Sequence, residues 1–297
     1  MSARAWLAFV ALGIIWGLPY LFIKIAVQEL SPFDVAWGRI TLAALILLPI
    51  AWHRGALRAL ITHKGAIFAF ATVEFAIPFS AISMGERWIP SSVTAILIAT
   101  VPLIIAIISR FFGVHERLGT ARILGLAVGF GGVVALVGFS GLSGPLAWAG
   151  VGCVMIATVG YAIGPLIIQR HLHAVDSIGP VAGSVSFASL LLLVPALLSL
   201  PKRMPSVMAL SSVAILGIVC TALAMLLMFY LVKNAGASRA TIITYVNPAV
   251  ATLLGIVLLD EHLGVWGLIG FGLILLGSWL ATRGSAPAAE VAAAEAS

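Results

Sequence analysis

The sequence predicts an all-α integral membrane protein: ten transmembrane helices forming two inverted five-helix repeats around a central cavity. Three observations carry that prediction. The 297 residues are 62% hydrophobic and 9% charged, with mean hydropathy +1.19, whereas soluble domains carry about 25% charged residues. The apolar runs are unbroken over roughly 20 residues, the length of a membrane-crossing helix and twice that of the alternating segments of an outer-membrane barrel. A pattern also occurs twice. Pro102, Glu116-Arg117-Leu118-Gly119, Gly125 and Gly132 are matched by Pro248, Glu261-His262-Leu263-Gly264, Gly270 and Gly277. Ser92 and Ser238 each lie ten residues before their proline. A repeat of about half the chain in an apolar sequence is typical of transporters.

The ten spans are read, in order, at 5–26, 32–52, 65–84, 90–110, 120–139, 146–168, 178–199, 210–232, 238–259 and 265–282. The first is too long, and lacks a small-residue cleavage site, for a removed signal peptide. The domains follow: 1–141 is the first five-helix repeat, 142–283 the second, and 284–297 a disordered tail rich in Ala and Glu. Because five spans is an odd number, the second repeat enters the membrane from the opposite side, which makes the repeat inverted. Span 1 and span 6 match more weakly, through Pro19-x4-Lys24 and Pro165-x4-Arg170.

With both termini cytoplasmic, eleven basic residues fall inside (Arg4, Arg54, Arg58, Lys64, Arg110, Arg117, Arg122, Arg170, Lys233, Arg239 and Arg283). Three fall outside: Arg87, Lys202 and Arg203. That asymmetry orients the chain in a bacterial inner membrane. The net charge of +6 is therefore read as a topology signal, and nucleic acid is not an expected partner. Cys153 and Cys220 both lie in apolar spans and are read as packing residues without a disulfide.

Ten spans, a Trp16-Gly17 pair in span 1, prolines in spans 4 and 9, and Glu-x-Leu-Gly before spans 5 and 10 resemble the drug/metabolite transporter superfamily. Within it the chain resembles EamA-type carriers and YddG-type amino-acid exporters. The resemblance covers residues 5–282. It implies a cavity lined by spans 1, 3, 4, 6, 8 and 9, with spans 5 and 10 as supports. It also implies export of small metabolites. The essential first-helix carboxylate of the small four-helix multidrug members is missing here; the charge in span 1 is Lys24. That departure argues against proton-coupled export of cationic drugs.

Candidate substrate-binding residues come from the polar, aromatic and proline positions within the spans. Trp16, Pro19 and Tyr20 share one region of span 1, where a proline frees backbone groups beside two aromatic rings. Tyr161 holds the related position in span 6. Thr100 and Pro102 in span 4, and Tyr245, Asn247 and Pro248 in span 9, mark expected helix breaks at mid-membrane depth. Glu74 is the carboxylate deepest within a predicted span, followed on span 3 by Phe75, Phe79 and Ser83. It is read as a binding or proton-carrying group, or as half of a buried pair with Arg39 or Lys24. Tyr230 closes an adaptable stretch of span 8 that also holds Met225 and Met228.

Each candidate has a competing reading as helix packing. Glu116 and Glu261 are assigned to structure, since each precedes a helix whose exposed N–H groups favour a carboxylate. The seams Gly125, Gly129, Gly131 and Gly132 in span 5, and Gly267, Gly270, Gly272 and Gly277 in span 10, suit close helix approach.

No phosphate-binding loop, zinc-protease motif, metal cluster or serine-nucleophile motif occurs in the sequence. Neither a catalytic residue nor a metal or other cofactor is expected, and the chain is not read as an enzyme. The expected partners are a small-molecule substrate and the lipid bilayer, with the monomer as functional unit. The expected activity is export of small metabolites, amino acids first, by alternating access. A carrier of sugars or other metabolites, and then a non-transporting scaffold or receptor, are the alternatives.

Overall fold

The computed structural model describes residues 2–109, 120–139, 144–172, 175, 177–235 and 243–282. Glu116 with its Arg117-Leu118-Gly119 segment, Ser238, Arg239, Arg283 and the tail lie outside the described residues. Among those described, every regular element is a helix. Among the described residues, seven helices are long and apolar enough to cross a membrane: Ala3–Ala26, Pro32–His53, Lys64–Gly85, Ser91–Ile108, Ala147–Leu172, Ile178–Leu198 and Val207–Asn234. Shorter apolar helices, Ile123–Gly138, Ile243–Leu258 and Val265–Ala281, stand where spans 5, 9 and 10 were read.

Helix starts follow local chemistry. Pro32 opens span 2, and a capping box precedes it. The Asp34 N–H donates to Ser31 Oγ at 3.1 Å, and the Ser31 N–H donates to Asp34 Oδ2 at 3.2 Å. Span 8 starts at Val207 behind Ser206, whose Oγ accepts the Ala209 N–H. The Ser206 cap is itself held from another loop. Glu29, between spans 1 and 2, accepts the Ser206 hydroxyl at 2.5 Å and its N–H at 2.7 Å. Glu29 also lines a surface hollow with Lys202 and Arg203, which gives that basic pair an acidic neighbour.

The hydrogen bonds from the Ser206 side chain and backbone hold the Glu29 carboxyl below the ordinary range. A carboxyl lowered on folding stabilises the protein above its unfolded pKa, and that contribution is lost as pH falls through the folded value. Thermal unfolding of Glu29→Gln should therefore fall less steeply than the wild type on acidification through the carboxylate range. Identical slopes would rule the cap out as a source of acid sensitivity.

The spans are not uniform helices. Span 1 is interrupted at Leu18, between Ala3–Gly17 and Pro19–Ala26. Span 4 is interrupted at Ala99-Thr100, between Ser91–Ile98 and Val101–Ile108. Each interruption immediately precedes a proline segment, where the helix ladder lacks one N–H donor. The break expected in span 9 does not occur: Ile243–Leu258 runs through Pro248 as one helix. Span 6 likewise runs through Pro165. Proline removes one donor from a ladder and need not end it when neighbouring helices hold the segment. Span 9 is held in this way, because Gly13 and Gly17 of span 1 lie against Val246, Val250 and the Asn247 carbonyl.

Widened π-helical turns interrupt span 3 at Ala71–Ala76 and span 8 at Ile218–Leu223, about 147 residues apart. A third, Ile168–Leu172, ends span 6. Such turns occur often at functional sites.

Packing between the spans follows a paired pattern. Span 2 packs on span 7, span 4 on span 9, and span 5 on span 10. Span 6 packs on spans 3 and 4, while span 1 packs on spans 8 and 9. The closest approach is between spans 5 and 10, where Gly125, Gly129 and Gly132 meet Gly270 and Gly277 backbone to backbone. Gly131 and Gly272 face open space and Gly267 faces Leu263 of its own segment. These three, expected in the seam, lie outside it because a helix directs only about every third or fourth residue at one neighbour.

Candidate functional site

The interior of the bundle holds a group of polar and aromatic side chains from spans 2, 3, 6 and 8. Phe70, Phe75 and Phe79 form an edge-to-face series along span 3, with ring centroids 5.7 and 5.6 Å apart. Phe75 and Phe79 are buried, and Tyr161, Met225 and Phe229 pack against their cluster. Over Phe79 sits the Arg39 guanidinium, its carbon 3.7 Å from the ring centroid.

Arg39 is buried at 6% exposure, and its Nε donates to Thr221 Oγ1 at 2.8 Å. Thr221 lies in the π-helical turn of span 8 and donates its own hydroxyl to Leu216 O, five residues back, at 2.8 Å. The widened turn thus presents a hydroxyl to a cation on another span. Thr221 and Arg39 were not among the sequence-derived site residues. The signal that could have found Arg39 is a charge within an apolar span; Thr221 had no such signal, since its role depends on the π-helical turn.

Glu74 lies in the matching widened turn of span 3. Its Oε2 is buried and has no hydrogen-bond partner. The expected pair with Arg39 or Lys24 is not made. Arg39 turns to Thr221 and Phe79, and Lys24 donates to the backbone carbonyls of Glu86 and Ile89 at 2.6 and 2.9 Å. Space for the Glu74 carboxylate comes from span 6, where a Cβ on Gly164 would collide with Oε2 and lie 3.0 Å from Cδ. Tyr161, one turn away from Gly164, is within electrostatic reach of both Arg39 and Glu74.

A second group sits where spans 1, 4 and 9 meet. Pro19 and Tyr20 are buried, Tyr20 against Ala95 and Ala251. Across the glycine contact, Asn247 lies half-buried with an unpartnered Oδ1, next to the buried Pro248. Trp16 packs against a cluster shared by spans 1, 8 and 9.

The remaining candidates are placed differently. Ser83 and Thr100 are buried, and their hydroxyls donate to their own helix, at Phe79 O and Leu97 O, 2.7 Å each. Pro102 and Tyr245 are half-buried. Tyr230 is exposed near the end of span 8, where its carbonyl accepts from Asn234 Nδ2. Cys153 and Cys220 are both free thiols.

Glu261 has the structural role expected of it but on a different helix. After a left-handed turn at Asp260, φ 52°, its carboxylate accepts the N–H groups of Ser91 at 2.7 Å and Ser92 at 2.9 Å. It therefore caps span 4 rather than the helix that follows it. Gly255 of span 9 leaves room for that carboxylate. Sequence adjacency suggested the nearer helix, and tertiary packing supplied a better-exposed set of donors.

The EamA-like transporter family model matches this chain twice, over residues 3–138 and 148–283. The chain is 30% identical to an uncharacterized inner membrane transporter, YedA, of Escherichia coli (strain K12), over 93% of this chain and 90% of that protein. It is 27% identical to an uncharacterized transporter of Archaeoglobus fulgidus, over 94% of this chain and 99% of that one. A protein of known crystal structure has the same fold, with TM-score 0.66 and 20% identity, over 95% of this chain and 97% of the other.

Proposed function

The chain belongs to the EamA-like transporter family, and from that premise we propose that it exports small zwitterionic metabolites, amino acids first, by alternating access. The observation that carries this reading is the presence of opposite charges inside the bundle that do not neutralise each other. Glu74 offers a buried oxygen without a donor, and Arg39 is a buried cation without a carboxylate partner. A zwitterion brings an ammonium for Glu74 and a carboxylate for Arg39, with Phe75, Phe79 and Tyr161 beside them for its apolar part. Charged groups are retained within a membrane bundle chiefly where they serve a solute path.

The architecture we infer is ten helices in two inverted halves, residues 1–141 and 142–283, around a central cavity. The two family-model matches support it, as do the equivalent widened turns in spans 3 and 8 and the paired packing of 2 on 7, 4 on 9 and 5 on 10. Both termini lie in the cytoplasm on this reading, and the monomer is the working unit. Pro19 and Pro102, at the interruptions of spans 1 and 4, are the hinges; Pro165 and Pro248 yield less, being within continuous helices.

Reconstituted protein tested with a panel of radiolabelled solutes, with and without a pH gradient, decides the substrate. Flux of at least one amino acid down its own gradient is expected. Absence of flux for all twenty, with movement of a sugar or another metabolite instead, would reject the amino-acid reading and leave the carrier.

A further inference from the structure

Glu86 is a charged residue that the zwitterion site does not use. It follows the last turn of span 3, beside Arg87. Arg87 is exposed, but Glu86 is 0% exposed. Neither of its carboxylate oxygens has a hydrogen-bond partner. Its neighbour Gly85 packs against span 6, at Gly150 O and Val154.

The groups that face Glu86 come from three directions. Span 1 contributes Lys24 and Tyr20, span 2 contributes Arg39, and the segment before span 10 contributes Glu261. None discharges it. Lys24 directs its ammonium at the carbonyls of Glu86 and Ile89. Arg39 donates its Nε to Thr221 and stacks over Phe79, with no hydrogen bond to Glu86. Glu261 is a like charge that accepts from Ser91 and Ser92. Two more buried oxygens in spans 4 and 9, Ser91 Oγ and Thr252 Oγ1, also have no partner, and Ser91 Oγ and the Glu261 carboxylate both border Gly255.

A buried carboxylate without donors is among the costliest groups a protein can hold. Adding a proton removes its charge and turns an acceptor into an O–H donor. We propose that Glu86 is a proton-binding site of this transporter, distinct from Glu74, through which a proton gradient drives solute movement. The inference rests on the reading of the chain as a solute carrier. The step is a reversible protonation: the carboxylate takes up H⁺ from one side of the membrane as the neutral acid and releases it to the other. Lys24 ties span 1 to the loop that carries Glu86, so a change of charge there bears directly on a contact between spans 1, 3 and 4.

The test needs no substrate. Infrared difference spectra of the purified full chain over a pH titration should contain a carboxylic-acid carbonyl band that is lost in Glu86→Gln and kept in Glu74→Gln. Glu86→Asp, which keeps a carboxyl and so guards against misfolding of the Gln variant, should shift the band. Spectra unchanged by either Glu86 variant would overturn the proposal, as would a band abolished by Na⁺ at constant pH. In proteoliposomes, Glu86→Gln should still exchange solute down its gradient while a pH gradient no longer drives accumulation. Loss of exchange together with accumulation would also overturn it. If no solute moves even with wild-type protein, the carrier reading fails, and the infrared result still judges Glu86.

Discussion

Glu74→Gln should weaken amino-acid binding by about 30-fold or more while leaving the empty protein as stable as the wild type, or more so. Losing one partner of a buried charge pair costs about 2–5 kcal/mol, and about 1.4 kcal/mol is tenfold in affinity. The substrate ammonium would be that partner. In the empty protein Glu74 Oε2 is buried without a donor, so a neutral amide relieves a desolvation cost. Substrate affinity measured beside thermal unfolding in detergent separates the two roles. A variant that melts earlier but binds equally well would make Glu74 a structural residue. The opposite signs expected for stability and binding are what a functional site imposes on a fold.

Gly277→Val should prevent stable assembly of the bundle. A Cβ at Gly277 would collide with Gly129 N and lie 2.5 Å from its Cα and 2.6 Å from Gly125 O. These are backbone atoms, so no side-chain rotation relieves the contact, and spans 5 and 10 must separate. Overpacking costs typically 1–3 kcal/mol, and this site belongs at the upper end, about 3 kcal/mol. Gly272→Val is the control. It lies on the same helix, but nothing stands within 4 Å of its added Cβ. Size-exclusion profiles and unfolding temperatures should separate the two variants sharply. Equal behaviour would mean that the glycine seam does not hold the helices together.

The legible part of this protein was large where one periodic or compositional signal decided the outcome. Hydropathy gave the spans, because a segment crossing lipid must be apolar along its whole length and satisfy its own backbone. Ser31-Pro32 and Ser206 marked helix starts by their own chemistry. The twin glycine motif pointed at spans 5 and 10, and Gly125, Gly132, Gly270 and Gly277 meet there. Within the candidate site, Glu74, Phe75, Phe79 and Tyr161 were visible as polar or aromatic residues in apolar runs.

What stayed hidden depended on neighbours distant in sequence. Thr221 reaches Arg39 from 182 positions away, across a widened turn that no residue pattern announces. Glu261 caps a helix 170 positions earlier in the chain rather than the one beside it. Glu86 drew no attention in the sequence, since it falls between the predicted spans 3 and 4 beside Arg87 and Trp88. It is buried, and Gly85 beside it packs closely on Gly150 and Val154 of span 6.

The sequence by itself determined that this chain is a helical membrane protein with a duplicated plan, since hydrophobic length and motif spacing act along the chain. The tertiary structure decided which charges pair and which do not. Pairing is a matter of a few ångströms between separate helices, and in a low-dielectric interior those few ångströms govern whether a charged group is satisfied or left exposed to a ligand.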